Sequence, residues 1–401
     1  MKATLDLHEQ VAPKGLLTLL TLLSTLAMLA TNLYLPSLPS LAAEFNTTAS
    51  GARATLTVFL AAFALAQLVW GPLSDRWGRR CVLLAGLVLY VLASIACSMA
   101  DSLGVLLAAR VVQGIGACAA STLVRAIARD WFEGAELSRV LAVILTLMTA
   151  APGLSPLLGG VMETTFGWRA DFILLAVFGA AAAVLTWSSM PERHHKRGTM
   201  SPLQVMSDYR RIAKRPEFLG PTLATSLGVG GLFAFFGSAP AIFIQHLGIS
   251  PAMFGVVPAG LVLALFAGGA ASGALRRRFG AKDAVLIAVG LLVAGSVSMS
   301  MLFLTQALGW TILLAPLLLY LCGIGILNPV ATAAAMEPFP HNAGAAAALN
   351  GFFQLTGATL GTLLLALFPL PVGLPITLTI CAISALAAFA LCTAMRPAAA
   401  V

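Results

Sequence analysis

Long apolar runs alternate with short polar segments along almost the whole chain. A helix that crosses a bilayer needs about 20 mostly apolar residues. On that measure spans are predicted near 15–36, 52–72, 81–100, 103–127, 138–160, 168–189, 217–245, 252–274, 282–305, 310–334, 344–368 and 372–395. Most connections between them are short, which suits helices folded back on their sequence neighbours. The longest polar stretch, 190–216, follows the sixth span. The expected fold is an all-α membrane protein of twelve transmembrane helices in two six-helix pseudo-repeats.

Composition strengthens this pattern. Apolar types make up 59% of 401 residues and charged types 9%, where a soluble domain carries roughly 25% charge. The formal net charge is +8. Its distribution points to loops on one side of a membrane and away from nucleic acid. Arg76, Arg79, Arg80, Arg129, Arg139, the cluster from Arg193 to Arg215 and Arg276–Lys282 fall on one side; the other holds Arg53 and Arg169. Lys and Arg collect in cytoplasmic loops, so both termini are expected inside a bacterial inner (cytoplasmic) membrane. The six cysteines show no CxxC spacing and read as packing residues. No His/Cys/carboxylate cluster suggests a metal, and no catalytic pattern suggests an enzyme or a cofactor.

The division that follows is a tail at 1–14, a six-helix half at 15–189, a linker at 190–216, a second half at 217–396 and a tail at 397–401. Within the linker, Ser201-Pro202 with Gln204 reads as a helix start. Leu203, Met206, Tyr209 and Ile212 then recur at helical spacing beside Arg210, Arg211, Lys214 and Arg215. A short helix on the inner leaflet is predicted, with a flexible basic linker as the alternative. The two halves also share a pattern. Gly71-Pro-Leu-Ser-Asp75-Arg76-Trp77-Gly78-Arg79-Arg80 ends the second span, and Gly273-Ala-Leu-Arg-Arg-Arg-Phe279-Gly280 ends the eighth. Such repeats bracket a substrate site near the bilayer midplane.

At these residues the chain resembles the major facilitator superfamily. Gly71–Arg80 is similar to the family's loop signature, which implies a conformational latch of Gly71, Asp75, Arg76, Gly78, Arg79 and Arg129. In it Asp75 faces a helix N-terminus, such as the eleventh span's, or pairs with a basic residue such as Arg129, and the glycines allow close helix approach. Arg110-Val-Val-Gln113-Gly114 resembles the family's fourth-helix signature. Pro152-Gly-Leu-Ser155-Pro156-Leu-Leu-Gly159-Gly160 resembles its antiporter stretch, with Ser155 where Gly is usual, and implies a gate kink at Pro152, Pro156, Gly159 and Gly160. Asn32-Leu-Tyr34-Leu-Pro36-Ser-Leu-Pro39 and Glu337-Pro-Phe-Pro-His341 look like the bicyclomycin/chloramphenicol-resistance branch of twelve-helix drug:proton antiporters.

The branch usually carries Asp where this chain has Asn32. A carboxyl buried in a span is a natural proton carrier, and an amide is not. No other acid falls in the middle of a predicted span: Glu44, Asp101, Glu163 and Asp171 are placed at outer loops or helix ends. The resemblance therefore leaves Asn32 and Arg110 at the proton-coupling position without a carboxylate. Arg110 lies ~10 Å deep by helix rise. It is expected either to meet an anionic or strongly polar substrate group or to hold helices together through Asn32, Gln113 and carbonyls. Arg125, on the same helix, either snorkels or faces the cavity.

Candidate binding residues are Asn32, Tyr34, Arg110, Gln113, Phe235, Phe236, Asn328, Asn350 and Gln354, with Gln67, Phe233 and Phe353 as further cavity residues. Aromatics suit flat, semi-apolar ligands and amides orient them. The resemblance implies a monomeric secondary exporter of small amphipathic drugs or metabolites, using protons, by alternating access. Two readings stay open beside it: a facilitator or importer of a polar metabolite such as a nucleoside, and a non-transporting sensor or scaffold.

Overall fold

In lipid, every backbone N–H and C=O must find its partner within the protein, so apolar runs of this length become helices. The computed structural model describes Pro13 and residues 15–191, 202–305 and 310–367. Its helices are α1 (Leu16–Asn32), α2 (Leu38–Glu44), α3 (Ala49–Trp77), α4 (Arg79–Ser98), α5 (Leu103–Trp131), α6 (Gly134–Phe166), α7 (Trp168–Ser189), α8 (Pro202–Ala213), α9 (Pro216–Pro240), α10 (Pro251–Leu304), α11 (Trp310–Met336) and α12 (Ala343–Leu367). Eleven segments among the described residues are long and apolar enough to cross a membrane. The predicted span at 372–395, the C-terminal tail, the N-terminal tail apart from Pro13, and linker residues 192–201 lie outside the described residues.

α1 and α2 make one interrupted span, as do α9 and the π-helical turn Ala241–His246 that continues it. Pro36 and Pro39, which cannot donate to a helical ladder, follow the end of α1. The chain bridges to α2 through the 3-10 turn Leu35–Ser37. α10 holds two spans divided at Gly280. Gly78 separates α3 from α4 with φ 93°, and Gly280 has φ 85°. These are the two glycines that the sequence repeat aligns. Both occupy a region that L side chains avoid, so the same backbone turn closes the same hairpin in each half.

Packing follows the repeat. α3 and α4 lie on α5, and α1 lies against α5, α6 and α7; α9 packs on α11 and α12, and α10 on α11. The two halves meet through α6 against the first span of α10 and through α3 against α12. Exchanging the halves maps the second span onto the eighth and the fifth onto the eleventh, so these two seams are one contact seen twice. Large side chains such as Leu65, Leu92 and Leu263 stand exposed around the bundle. A belt of that size is expected only where lipid is the solvent.

α8 splits its apolar face. Tyr209 and Ile212 are buried against Phe218, Ala335, Ala346 and Leu349. Leu203 and Met206 stay 83% and 63% exposed. The Tyr209 hydroxyl donates to the Leu68 carbonyl of α3 at 3.1 Å, so α8 touches both halves.

Candidate functional site

The break after α1 creates the site. The last carbonyls of a helix lack intrahelical donors. Near the end of α1, Leu33 N–H satisfies Leu29, and the Ala30 carbonyl accepts from Arg110 Nη1 at 3.1 Å. Arg110 is 0% exposed. Its Nε donates to the Thr55 carbonyl at 3.3 Å and Nη1 also to Gln113 Oε1 at 2.5 Å. The guanidinium carbon lies 4.4 Å from the Tyr34 ring centroid, 4.2 Å from that of Phe59 and 5.7 Å from that of Phe172. A positive charge at a helix C-terminus and over three π faces is favourable. No carboxylate forms an ion pair with it among the described residues, and Nη2 has no hydrogen-bond partner.

Gln113 extends the network. Its Nε2 donates to Ser94 Oγ at 2.7 Å, and Ser94 donates to the Tyr90 carbonyl at 2.7 Å. The Tyr34 hydroxyl meets Thr55 Oγ1 at 3.1 Å. Arg110 thus pins α1, α3, α4 and α5 together through dipoles and rings. Asn32 does not join it. Its amide donates to the Met28 carbonyl at 2.9 Å and to Thr31 Oγ1 at 2.7 Å, both on its own helix. Its Oδ1 is buried without a partner. The expected Asn32–Arg110 hydrogen bond is therefore absent, because α1 ends at Asn32 and its side chain turns back along the helix.

The remaining expected binding residues form separate groups. Gln354 Nε2 reaches Asn328 Oδ1 and Thr332 Oγ1, each at 3.4 Å, and joins α11 to α12. Phe235 and Phe236 are buried with centroids 6.0 Å apart, and Phe233 lies edge-on to Phe236. Asn350 is buried with its Oδ1 unpartnered. Gln67 presses its amide against Gly351 across the α3–α12 seam. Phe353 packs with Phe218 and Phe352. A shallow cleft between the halves is lined by Leu38, Pro39, Ala49, Arg53, Gly237, Pro240, Ala241 and Gln245, none of them an expected binding residue.

The gate stretch sits at a seam. A Cβ on Gly159 would overlap the Leu33 carbonyl at the α1 break, and one on Gly160 the Pro251 carbonyl at the start of α10. Pro152 and Pro156 lie within α6, and each removes one ladder hydrogen bond. The Ser155 hydroxyl, where Gly is usual, donates to the Ala151 carbonyl. Thr57 donates to Thr362 at 2.9 Å and Arg53 to Ser238 at 3.2 Å across the same end of the bundle.

In the loop signature the basic partner of Asp75 is Arg79, and its two glycines have different roles. Asp75 pairs with Arg79 at 2.6 Å, while Arg129 is exposed at the end of α5. Arg79 also reaches Asp130 at 3.2 Å, so the described ion pairs tie α3, α4 and α5 within one half. A Cβ on Gly71 would meet nothing within 4 Å, so Gly71 is not a close-approach glycine, and Gly78 serves the turn. Arg76 is exposed and Arg125 half-buried.

Sequence reasoning missed Thr55, Phe59, Ser94 and Phe172 in the arginine cage, and it missed Asp171. Asp171 is at a helix end as expected, yet it is 0% exposed. The signal was helical spacing. Asp171, Leu175, Gly179, Ala182 and Thr186 fall on one stripe of α7, and all are buried.

Residues 20–362 match the family described as the Major Facilitator Superfamily. The chloramphenicol resistance protein of Pseudomonas aeruginosa is 34% identical over 357 residues, 87% of this chain and 83% of that protein. The multidrug resistance protein D of Escherichia coli is 30% identical over 88% of this chain and 89% of its own length. A bicyclomycin resistance protein homolog of Haemophilus influenzae is 31% identical over 83% and 84%. A D-xylose-proton symporter shares the fold, with TM-score 0.72 and 17% identity over 94% of this chain and 96% of that one. The chain is a multi-pass membrane protein, and it belongs to the major facilitator superfamily, in the branch of its bicyclomycin- and chloramphenicol-resistance relatives.

Proposed function

We propose that this chain exports small amphipathic drugs of the chloramphenicol type by alternating access, as a monomer in the bacterial inner membrane. The cargo class follows from the names of the relatives that span most of the chain. The arginine-rich ends of the helices face the cytoplasm, and both termini lie there. The observation that carries alternating access is the make-up of the two seams. α6 meets α10 through glycine–carbonyl contacts, and α3 meets α12 through the Gln67 amide against Gly351 and the Thr57–Thr362 hydroxyl bond; no ion pair crosses them among the described residues. Such seams separate at low cost, since each hydroxyl bond contributes about 0.5–1.5 kcal/mol net.

Protons are the coupling ion in this reading, and Asn32 supplies the argument for a second one. A chain that has lost its titratable group at position 32 and keeps the gate would run as an uncoupled facilitator. Chloramphenicol flux in proteoliposomes, with and without an imposed pH gradient, separates the two. Drive by the gradient in the unaltered chain supports coupled export. Flux indifferent to the gradient in the unaltered chain, and restored to proton drive only by Asn32→Asp, supports the facilitator. No chloramphenicol flux in any form rejects the cargo class.

A further inference from the structure

Asp171 stands in the first turn of α7, and both of its carboxyl oxygens are sealed from solvent. Oδ2 accepts from Ser37 Oγ at 2.7 Å, and Oδ1 has no partner. No Lys, Arg or His forms an ion pair with it among the described residues. The turn Leu35–Ser37 offers the Ser37 hydroxyl. α6 offers Glu163, a charge of the same sign, whose Oε2 is also buried and unpartnered. α1 carries no ionisable residue, and the half of α4 nearest this end carries Tyr90 and Cys97. On α7 itself Arg169 is committed to Glu44 of α2 at 2.6 Å. Arg110 of α5 is held in its cage, with the ring of Phe172 against it.

A lone carboxylate taken out of water is costly, and protonation removes the charge that makes it so. The Ser37 hydroxyl both donates and accepts, so it serves the carboxyl in either state. Ser37 belongs to the turn that breaks the first span. Phe172, the next residue along, is the third ring around Arg110. Asp171 is thus linked through Ser37 to the α1 break and through its neighbour Phe172 to the arginine cage.

We propose that Asp171 is the proton-binding carboxyl of this chain, doing the work that an amide at position 32 cannot. One proton from water adds to a carboxylate oxygen, with Ser37 as its hydrogen-bond partner and Glu163 as the half-buried carboxyl beside it. The inference rests on the proton-coupled reading above and names its site.

The test is chloramphenicol flux in proteoliposomes, driven by an imposed pH gradient, beside counterflow at equal pH on both sides. Asp171→Asn is expected to lose at least tenfold of the gradient-driven flux while counterflow persists. Ser37→Ala is expected to displace the pH profile of driven flux, which a merely structural serine would not do. Full gradient drive in Asp171→Asn overturns this inference and leaves coupled export standing. A wild-type chain that ignores the gradient overturns both. If Asp171→Asn loses counterflow as well, Ser37→Ala decides: a displaced profile supports the site and an unmoved one rejects it.

Discussion

Replacing Arg110 by Lys should destabilise the protein more than replacing it by Met, although Lys keeps the charge. Arg110 makes three hydrogen bonds from one planar group and lies over the Tyr34 and Phe59 rings, with no carboxylate in ion-pair contact among the described residues. Hydrogen bonds from a charged donor contribute about 1.5–3 kcal/mol each. A desolvated cation–π contact contributes ~2 kcal/mol. The opposing term is several kcal/mol for holding a bare cation out of water. An ammonium is more strongly hydrated than a guanidinium and lacks its fork. Lys therefore keeps the penalty and loses about two of the three bonds, a net loss of about 3–6 kcal/mol. Met removes the penalty along with the contacts. The Thr55 carbonyl remains in its helix ladder and Gln113 Oε1 keeps the Cys97 thiol as a weak donor at 3.9 Å, so the Ala30 carbonyl at the end of α1 is the acceptor left bare, at a cost of about 1–3 kcal/mol. Thermal unfolding of the purified protein, followed with a thiol-reactive dye, measures this, because Cys97 and Cys118 are free and buried. A Lys variant as stable as wild type, or more stable than Met, would refute the view that dipoles and rings offset this charge.

Gly159→Val sets a side chain against the Leu33 carbonyl; overpacking of about 1–3 kcal/mol and loss of drug resistance in cells are expected, and normal resistance would contradict the gate assignment. Tyr209→Phe should lower stability by about 1 kcal/mol through loss of the bond to Leu68, read by the same unfolding assay. Burial pushes the Tyr209 phenol up from 10 to about 12. The folded protein therefore holds this proton more tightly than the unfolded chain. The contribution of Tyr209 is complete below pH 10 and fades between 10 and about 12, and Tyr209→Phe should remove that part of the alkaline loss.

The sequence alone determined what depends on periodicity and on lipid as solvent. Runs of apolar residues admit only helices in a bilayer, so the described spans, the repeat that aligns Gly78 with Gly280 and the helix at Pro202–Ala213 could be read from spacing and residue type. Tertiary structure decided what depends on which helix faces which. Gln113 was legible as a polar residue in an apolar helix, but its partner Ser94 lies on another helix, and nothing in spacing pairs them. Asn32 and Arg110 looked like partners by depth, yet the break at Pro36 ends α1 and turns the amide back to Met28 while the guanidinium caps Ala30. Asp171 looked like an ordinary helix end. Only the folding of Ser37 and α6 over that end removes its water, and burial of a charge is a property of neighbours that no single stretch of sequence contains.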